Sequence, residues 1–263
     1  MVVGDPNESA ARGFRRWAQH MLTRHHGADR SVYQTSMMAA LLDGAYDGDV
    51  TVAELLRHGD FGLGTFNHLD GEMLVLDGAC YRLRGDGSAT IADPKAMTPF
   101  AAVTWFHPDH TVSIHAPHDR ADLTALIDES LESENLIYAI RISGEFSRIR
   151  TRTVTEQHRP YPRLTEATGS QRENSFINAT GTLAGYRTPD YEQGISVAGY
   201  HLHYIDGTRQ HGGHALDYRF DHGTIEISTC SEFHLSLQRT PQFLTADLTS
   251  ADLDGQIHQS EGS

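Results

Sequence analysis

The sequence predicts an α+β fold. Short segments of alternating or apolar character are separated by Asp-Gly steps, which favour tight turns between strands. The clearest series of steps lies at residues 70–71, 77–78 and 86–87, where it indicates a β-meander. Helical patterns are confined to a few segments elsewhere, so strands dominate the chain.

The composition indicates a globular protein of one large domain or two small ones. The chain has 263 residues, of which 38% are hydrophobic, and its formal net charge is −14. This charge argues against binding nucleic acid or an anionic membrane surface, although a small anionic substrate needs only local positive charge. Cys80 and Cys230 form no CxxC motif, and no apolar run approaches the ~18 residues that span a bilayer. We therefore expect a cytoplasmic protein.

Two helices are predicted near the N-terminus. Residues 9–26 place Phe14, Trp17 and Met21 on one stripe, which we interpret as a surface helix packed on the domain. Residues 51–54 form a capping box that opens a second, shorter helix.

The meander that follows contains one acidic residue of interest. Glu72 stands directly after the turn at 70–71, at the start of a strand. From position alone, we interpret Glu72 as a solvated turn carboxylate.

The middle of the chain alternates between strands and one helix. We predict strands over 99–106 and 136–142, and a helix over 119–133. Residues 156–180 are polar and contain two prolines, so they are predicted to form a long loop or crossover between two halves. Strands are then predicted to resume over 181–186 and to include 224–228 and 233–237.

Three arginines extend the predicted strand 136–142. Arg148, Arg150 and Arg152 are spaced two apart, so alternation places them on one face. This face could meet an anion. Alternatively, it is a solvated edge strand whose charge prevents aggregation.

A histidine-rich hairpin is the strongest chemical signal in the sequence. His201 and His203 project from the same face of a strand, and the step at 206–207 is a strong turn signal. His214 on the returning strand would lie beside this pair, with His211 as a rival third ligand. Three imidazoles on rigid strands can hold Zn²⁺ and leave a coordination position open. With 17 histidines in the chain, chance remains an alternative.

Together, these segments resemble the alpha-acetolactate decarboxylase family over nearly all of residues 33–263. The motifs that carry the resemblance are Tyr33-Gln34; Ala-Leu-Leu-Asp-Gly-Ala-Tyr-Asp-Gly at 40–48; His-Gly-Asp-Phe-Gly-Leu-Gly-Thr-Phe-Asn at 58–67; Leu-Asp-Gly-Glu at 69–72; Thr151-Arg152 before Pro-Tyr-Pro at 160–162; Gly185-Tyr186 with Thr-Pro-Asp-Tyr at 188–191; and the hairpin histidines with Gly212-Gly213.

The resemblance implies a fold and an activity. The fold has two β-rich lobes, a mixed sheet and a smaller antiparallel sheet or partial barrel, with the metal between them and a homodimer as the assembly. Mapped onto the chain, this gives a helical extension over 1–30, a mixed-sheet lobe over 31–155 and a β lobe carrying the metal hairpin over 156–263. The activity is zinc-dependent conversion of 2-acetolactate, a small 2-hydroxy-3-oxo acid, to acetoin and CO₂ in the acetoin and butanediol pathway.

The resemblance also assigns the site. It makes His201, His203 and His214 the Zn²⁺ ligands, in preference to His211. The other implied site residues are Glu72 and Arg152 as catalytic groups, Thr65 near the substrate, and Glu261 as a second catalytic carboxylate with Asp252 and Asp254 as alternatives.

Two other functions compete with the decarboxylase. A different three-histidine zinc enzyme of β fold, such as a hydrolase, would need an activated water, and no HExxH motif supports it. A structural metal would need a fourth protein ligand, and Cys230 would have to arrive from a distant strand.

Overall fold

The structure, a computed structural model, describes residues 30–261; the helix predicted over 9–26 lies outside them. Within the described residues the strands are β1 (Ser31–Thr35), β2 (Val50–Thr51), β3 (Phe61–Thr65), β4 (Glu72–Leu76), β5 (Ala79–Leu83), β6 (Ala89–Ile91), β7 (Met97–Thr98), β8 (Phe100–Thr104), β9 (His110–Ile114), β10 (His118–Asp119), β11 (Ile137–Thr153), β12 (Arg172–Thr188), β13 (Gly199–Asp206), β14 (Gly212–Cys230) and β15 (Glu232–Ser236). The α-helices are α1 (Met38–Leu42), α2 (Val52–Leu55), α3 (Arg120–Ser130), α4 (Leu164–Ala167), α5 (Pro241–Thr245) and α6 (Leu253–Glu261), and short 3₁₀ helices lie at Asn67–Leu69, Thr168–Ser170 and Asp190–Glu192.

Local sequence signals produced several of these elements as predicted. At the start of α2, the backbone N–H of Glu54 donates to the Thr51 hydroxyl, and the Thr51 N–H donates to the Glu54 carboxylate. This is the predicted capping box, and it satisfies two amides that a helix N-terminus otherwise leaves unpaired. The strands predicted over 99–106 and 136–142 and the helix predicted over 119–133 are also confirmed as β8, β11 and α3.

The first sheet is mixed. Among the described residues it has seven strands in the order β15-β1-β8-β3-β4-β5-β6, with β1 parallel to β15 and the other pairs antiparallel. Strands β3 to β6 form the predicted meander. The fold class is therefore confirmed as α+β, with few helices beside the sheets.

The second sheet is antiparallel and closes partly on itself. Strand β11 pairs with β12 and β14, β12 pairs with β13, and β13 pairs with the start of β14. These four strands therefore form a ring at one end, the partial barrel that the resemblance implied. Strands β9 and β10 extend the sheet along the rest of β14.

Sheet membership differs from the predicted lobe boundary at 155/156. Strand β11 precedes that boundary yet belongs to the second sheet, and β15 follows it yet lies beside β1.

The loop predicted over 156–180 is wrong in its second half. Strand β12 begins at Arg172, and residues 172–180 pair with β11 over 145–153. Their side chains are largely polar, so backbone pairing rather than an apolar pattern makes this segment a strand.

A shared core joins the two sheets. Leu63 and Leu74 of the first sheet pack in one buried cluster with Ala139, Ala184 and Tyr186 of the second. Burying a large apolar side chain contributes about 1.5–3 kcal/mol, so this cluster fixes the sheets relative to each other. Among residues 30–261, none of the helices combines the length and apolar character needed to cross a bilayer.

Candidate metal centre and active site

Three histidines converge where β13 meets β14. His203 lies opposite His214 in the strand register, and His201 is two residues away on the same strand. The ring centroids are 5.2 Å apart for His201–His203, 5.0 Å for His201–His214 and 5.4 Å for His203–His214. One ligand atom from each ring lies within 4.8 Å of the others, so this group could hold a metal ion.

Backbone carbonyls fix which nitrogen two of the rings present. His203 Nδ1 lies 2.8 Å from the carbonyl oxygen of Met73, and His214 Nε2 lies 3.1 Å from that of Glu261. A carbonyl only accepts, so these nitrogens carry the protons of the neutral rings. His203 Nε2 and His214 Nδ1 are thereby left with free lone pairs, and His203 Nε2 is buried without a hydrogen-bond partner.

All three rings are held in the neutral form. Burial, reinforced by the Arg152 charge, lowers the pKa of His201 to about 3, and burial beside His201 lowers that of His203 to about 3. Burial and Arg152 also place the pKa of His214 well below its ordinary value. Neutral imidazole is the form that binds metal, so the three rings are ready to act as ligands near neutral pH.

The rival ligand His211 lies outside this group. Its side chain is 52% exposed, and its Nδ1 lies 3.1 Å from the Asp206 carboxylate. Asp206 also accepts from the backbone N–H groups of Gln210 and His211, and these bonds shape the hairpin turn. Thus the structure brings His214, not His211, to the histidine pair.

The first sheet brings Glu72 to the histidines. Its Oε2 lies 3.9 Å from His203 Nε2, and its side chain is only 16% exposed. Burial and the neighbouring Glu261 raise the pKa of Glu72 to about 8. The interpretation of Glu72 as a solvated turn carboxylate is therefore wrong, because the second sheet covers the start of β4.

Thr65 lies directly across the β3–β4 ladder from Glu72. It is 6% exposed, and its hydroxyl donates to the carbonyl oxygen of Gly71 at 3.0 Å. That bond ties Thr65 to the turn preceding Glu72. It leaves the acceptor lone pairs of the hydroxyl available to a ligand.

Arg152 is buried, whereas the other two arginines of its strand are exposed. The side chains of Arg148 and Arg150 are 59% and 50% exposed, whereas that of Arg152 is 5% exposed. Arg152 Nη2 lies 3.4 Å from Glu261 Oε2, and Nη1 donates to Gln171 Oε1 at 2.9 Å. The three arginines therefore differ in their surroundings, and only Arg152 is enclosed at the site. Gln171 was not identified from the sequence, because it falls in a segment interpreted as a loop.

The chain end completes the cluster. Helix α6 places Glu261 Oε2 3.6 Å from His201 Nε2 and 3.7 Å from His214 Nδ1. Burial raises the pKa of Glu261 against the opposing effect of Arg152. Asp252 and Asp254, the alternative carboxylates, are both exposed at the start of the helix and away from this contact.

These groups together can bind an anion and supply protons. Arg152 contributes a fixed positive charge, and burial raises the pKa of both carboxyl groups, that of Glu72 to about 8, so Glu72 can carry a proton near neutral pH. The three neutral imidazoles offer lone pairs to a metal ion. This combination is suited to reactions in which negative charge develops and is then quenched by a proton.

Comparisons with known proteins agree with this arrangement. The sequence model of the family described as alpha-acetolactate decarboxylase matches residues 32–250. The alpha-acetolactate decarboxylase of Klebsiella aerogenes is 46% identical over 89% of this chain and 90% of its own length, and that of Bacillus subtilis strain 168 is 46% identical over 88% and 91%. A crystal structure of the alpha-acetolactate decarboxylase from that Bacillus strain superposes with a TM-score of 0.87 at 45% identity, over 89% of this chain and all of its own. The chain thus belongs to the alpha-acetolactate decarboxylase family, a family of carboxy-lyases.

Proposed function

We propose that this chain converts 2-acetolactate to acetoin and CO₂ in the acetoin and butanediol pathway, with a zinc ion held by His201, His203 and His214. The observation that carries the proposal is the convergence of three neutral imidazoles on Arg152 and two protonatable carboxyl groups. Membership of the decarboxylase family supports the reaction. The donor set supports the metal.

The histidines fit a zinc ion chemically. Zn²⁺ favours neutral imidazole ligands, and catalytic sites combine three protein ligands with an open position. His203 Nε2 is a buried lone pair without a partner, a costly arrangement that a bound cation would satisfy. When bound, zinc supplies Lewis acidity that stabilises negative charge developing on the ketone oxygen of the substrate.

Arg152 holds the acidic end of the substrate. Acetolactate carries its carboxylate on C2, beside a hydroxyl group and next to the C3 ketone. A guanidinium keeps its charge throughout the physiological pH range and binds carboxylates through its fork of donors. The C1–C2 bond then breaks, CO₂ leaves, and the electron pair moves towards the C3 oxygen to give an enediolate.

The two carboxyl groups are placed to hold and donate the proton that completes the product. Acetoin forms when a proton reaches C2. Burial raises the pKa of Glu72 to about 8, so its carboxyl group can hold that proton near neutral pH, and burial also shifts the pKa of Glu261 upward. Glu72 lies against His203, and Glu261 lies against His201 and His214, so a proton held by either group reaches the substrate from that group's own fixed side. Thr65, opposite Glu72, contacts the substrate from the first sheet.

The proposal extends to assembly and location. We expect a homodimer in the cytoplasm that acts on a free small molecule. The two free buried thiols, Cys80 and Cys230, support that location. Light scattering of the purified protein measures the assembly directly, and a monomer at working concentration would contradict that part of the proposal.

The decisive experiment measures acetoin and CO₂ released from racemic acetolactate. The protein is assayed as purified, after treatment with a chelator, and after zinc is restored. We expect activity to be lost with the chelator and to return with zinc. The His211→Ala variant should behave as wild type, because His211 faces solvent. If acetoin forms no faster than in buffer alone, the proposed reaction is wrong.

A further inference from the structure

Gln171 holds the buried arginine of the site. It lies immediately before β12, and its Oε1 accepts a hydrogen bond from Arg152 Nη1 at 2.9 Å. Its backbone N–H donates to the carbonyl oxygen of Thr168 at 3.1 Å, which fixes the main chain from which the side chain extends. The amide therefore reaches Arg152 from an anchored position.

This contact fixes the direction of the guanidinium. Arg152 Nη2 lies 3.4 Å from Glu261 Oε2, so the bond to Gln171 is the shorter of the two. Because a guanidinium is planar, anchoring two of its nitrogens determines the orientation of its plane. The third nitrogen, Nε, is buried without a partner and remains as a donor for a ligand.

The neutrality of Gln171 matters as much as its position. An amide oxygen accepts from Arg152 without cancelling the positive charge, whereas a carboxylate at the same place would form an ion pair and compete with a bound anion. The neighbouring Glu173 shows the contrast. It pairs with Arg152 in the strand register, but its carboxylate lies 3.9 Å from the exposed Arg150.

We infer that Gln171 is a positioning residue, which orients Arg152 towards the carboxylate of the substrate and leaves its charge available. This inference rests on the proposed function, since it takes the ligand of Arg152 to be a 2-hydroxy carboxylate. Gln171 itself is assigned no contact with the substrate.

The test compares an anionic and a neutral probe on the zinc-loaded protein. The anionic probe is 2,3-dihydroxy-2-methylbutanoate, the substrate with its ketone reduced so that it cannot lose CO₂. The neutral probe is 2,3-butanediol, which keeps the two hydroxyl groups and lacks the carboxylate. Dissociation constants are measured by titration calorimetry for wild type, Gln171→Glu, Gln171→Ala and the control Glu173→Gln.

We expect the charge change to affect only the anionic probe. Gln171→Glu should weaken binding of the dihydroxy acid about tenfold, the effect of losing one charge-assisted hydrogen bond, and leave the diol unchanged. Gln171→Ala removes the anchor without adding charge, so it should weaken the dihydroxy acid about threefold. Glu173→Gln should change neither constant, because Glu173 faces solvent.

Other outcomes overturn the inference. Equal weakening of both probes by Gln171→Glu would show a general structural role, and unchanged binding of the dihydroxy acid in both Gln171 variants would show that Arg152 needs no such anchor.

The acetoin assay of wild type is scored separately. If wild type binds the dihydroxy acid and Gln171→Glu weakens it selectively, yet no acetoin is made, the reaction is wrong and the positioning role stands. A wild-type protein that makes acetoin but does not bind the dihydroxy acid overturns the positioning role alone.

Discussion

Replacing Ile257 with alanine should detach the C-terminal helix and withdraw Glu261 from the site. Ile257 is 1% exposed and packs in a buried cluster with Met38, Leu41 and Leu164. Helix α6 has only nine residues, and helices shorter than about 12 residues are marginal on their own in water. Its position over the histidines therefore depends on this packing.

The size of the effect follows from the side chain removed. Ile257→Ala deletes three carbon atoms, each worth about 0.8 kcal/mol of burial, and the cavity left behind brings the typical cost to about 2–5 kcal/mol. Since about 1.4 kcal/mol corresponds to a tenfold change, even a loss of about 2.4 kcal/mol lowers the docked-to-undocked ratio of the helix about 50-fold.

Amide hydrogen exchange and turnover together test this reasoning. We expect exchange over residues 253–261 to accelerate and acetoin formation to fall. Zinc should stay bound, because the three histidines proposed to hold it lie on β13 and β14. Leu244→Ala is the matched control, since Leu244 is 69% exposed on α5. Faster exchange with undiminished turnover would show that Glu261 is not needed, and unchanged exchange would show that Ile257 does not hold the helix.

Three further predictions address the ligands, the arginine and the response to pH. His203→Ala should lose both zinc and activity in metal analysis and the acetoin assay, whereas His211→Ala should keep both; retention of zinc by the first variant would remove His203 from the ligand set. Arg152→Lys should keep zinc but lose at least about tenfold in turnover, because a single ammonium cannot reproduce the two contacts of the guanidinium; near-normal turnover would contradict this. Burial raises the pKa of Glu192 to about 7. As the pH rises from about 4.5, Glu192 therefore ionises in the unfolded chain before it ionises in the folded protein. The free energy of unfolding consequently falls until about pH 7. Glu192→Gln should remove this loss, so its thermal midpoint should exceed that of wild type at pH 8 but not at pH 4; equal midpoints at both would show that Glu192 ionises freely.

Features that depend on neighbouring residues in sequence could be predicted from the sequence. The spacing of His201 and His203, the turn at 206–207 and the return through His214 specify a hairpin and its shared face. The capping box at 51–54 is likewise a contact between residues three apart. In these cases the repeat of the backbone and the turn residues determine the geometry without any contribution from distant contacts.

Features that depend on contacts between residues far apart in sequence could not be predicted from the sequence. Arg150 and Arg152 differ by one strand repeat, yet only Arg152 is buried, because the C-terminal helix covers that end of β11. Glu72 follows an ordinary Asp-Gly turn, and only the packing of the second sheet turns it into a buried acid. The resemblance to a family supplied Arg152 and Glu72 as candidates. Gln171 belongs to none of the motifs quoted for that resemblance, and it was missed.

The electrostatics of the cluster explain why these distant parts must meet. Burial disfavours charge on both kinds of titratable group: it lowers the pKa values of the histidines and raises those of Glu72 and Glu261. Burial therefore favours the neutral form of each of these five side chains, which surround the fixed positive charge of Arg152. A divalent cation bound to the histidines would favour ionised carboxylates, so binding should release protons from Glu72 or Glu261. The anionic substrate opposes this effect: its carboxylate beside the cation favours the protonated form of the nearby carboxyl groups, so that Glu72 can carry the proton that C2 requires.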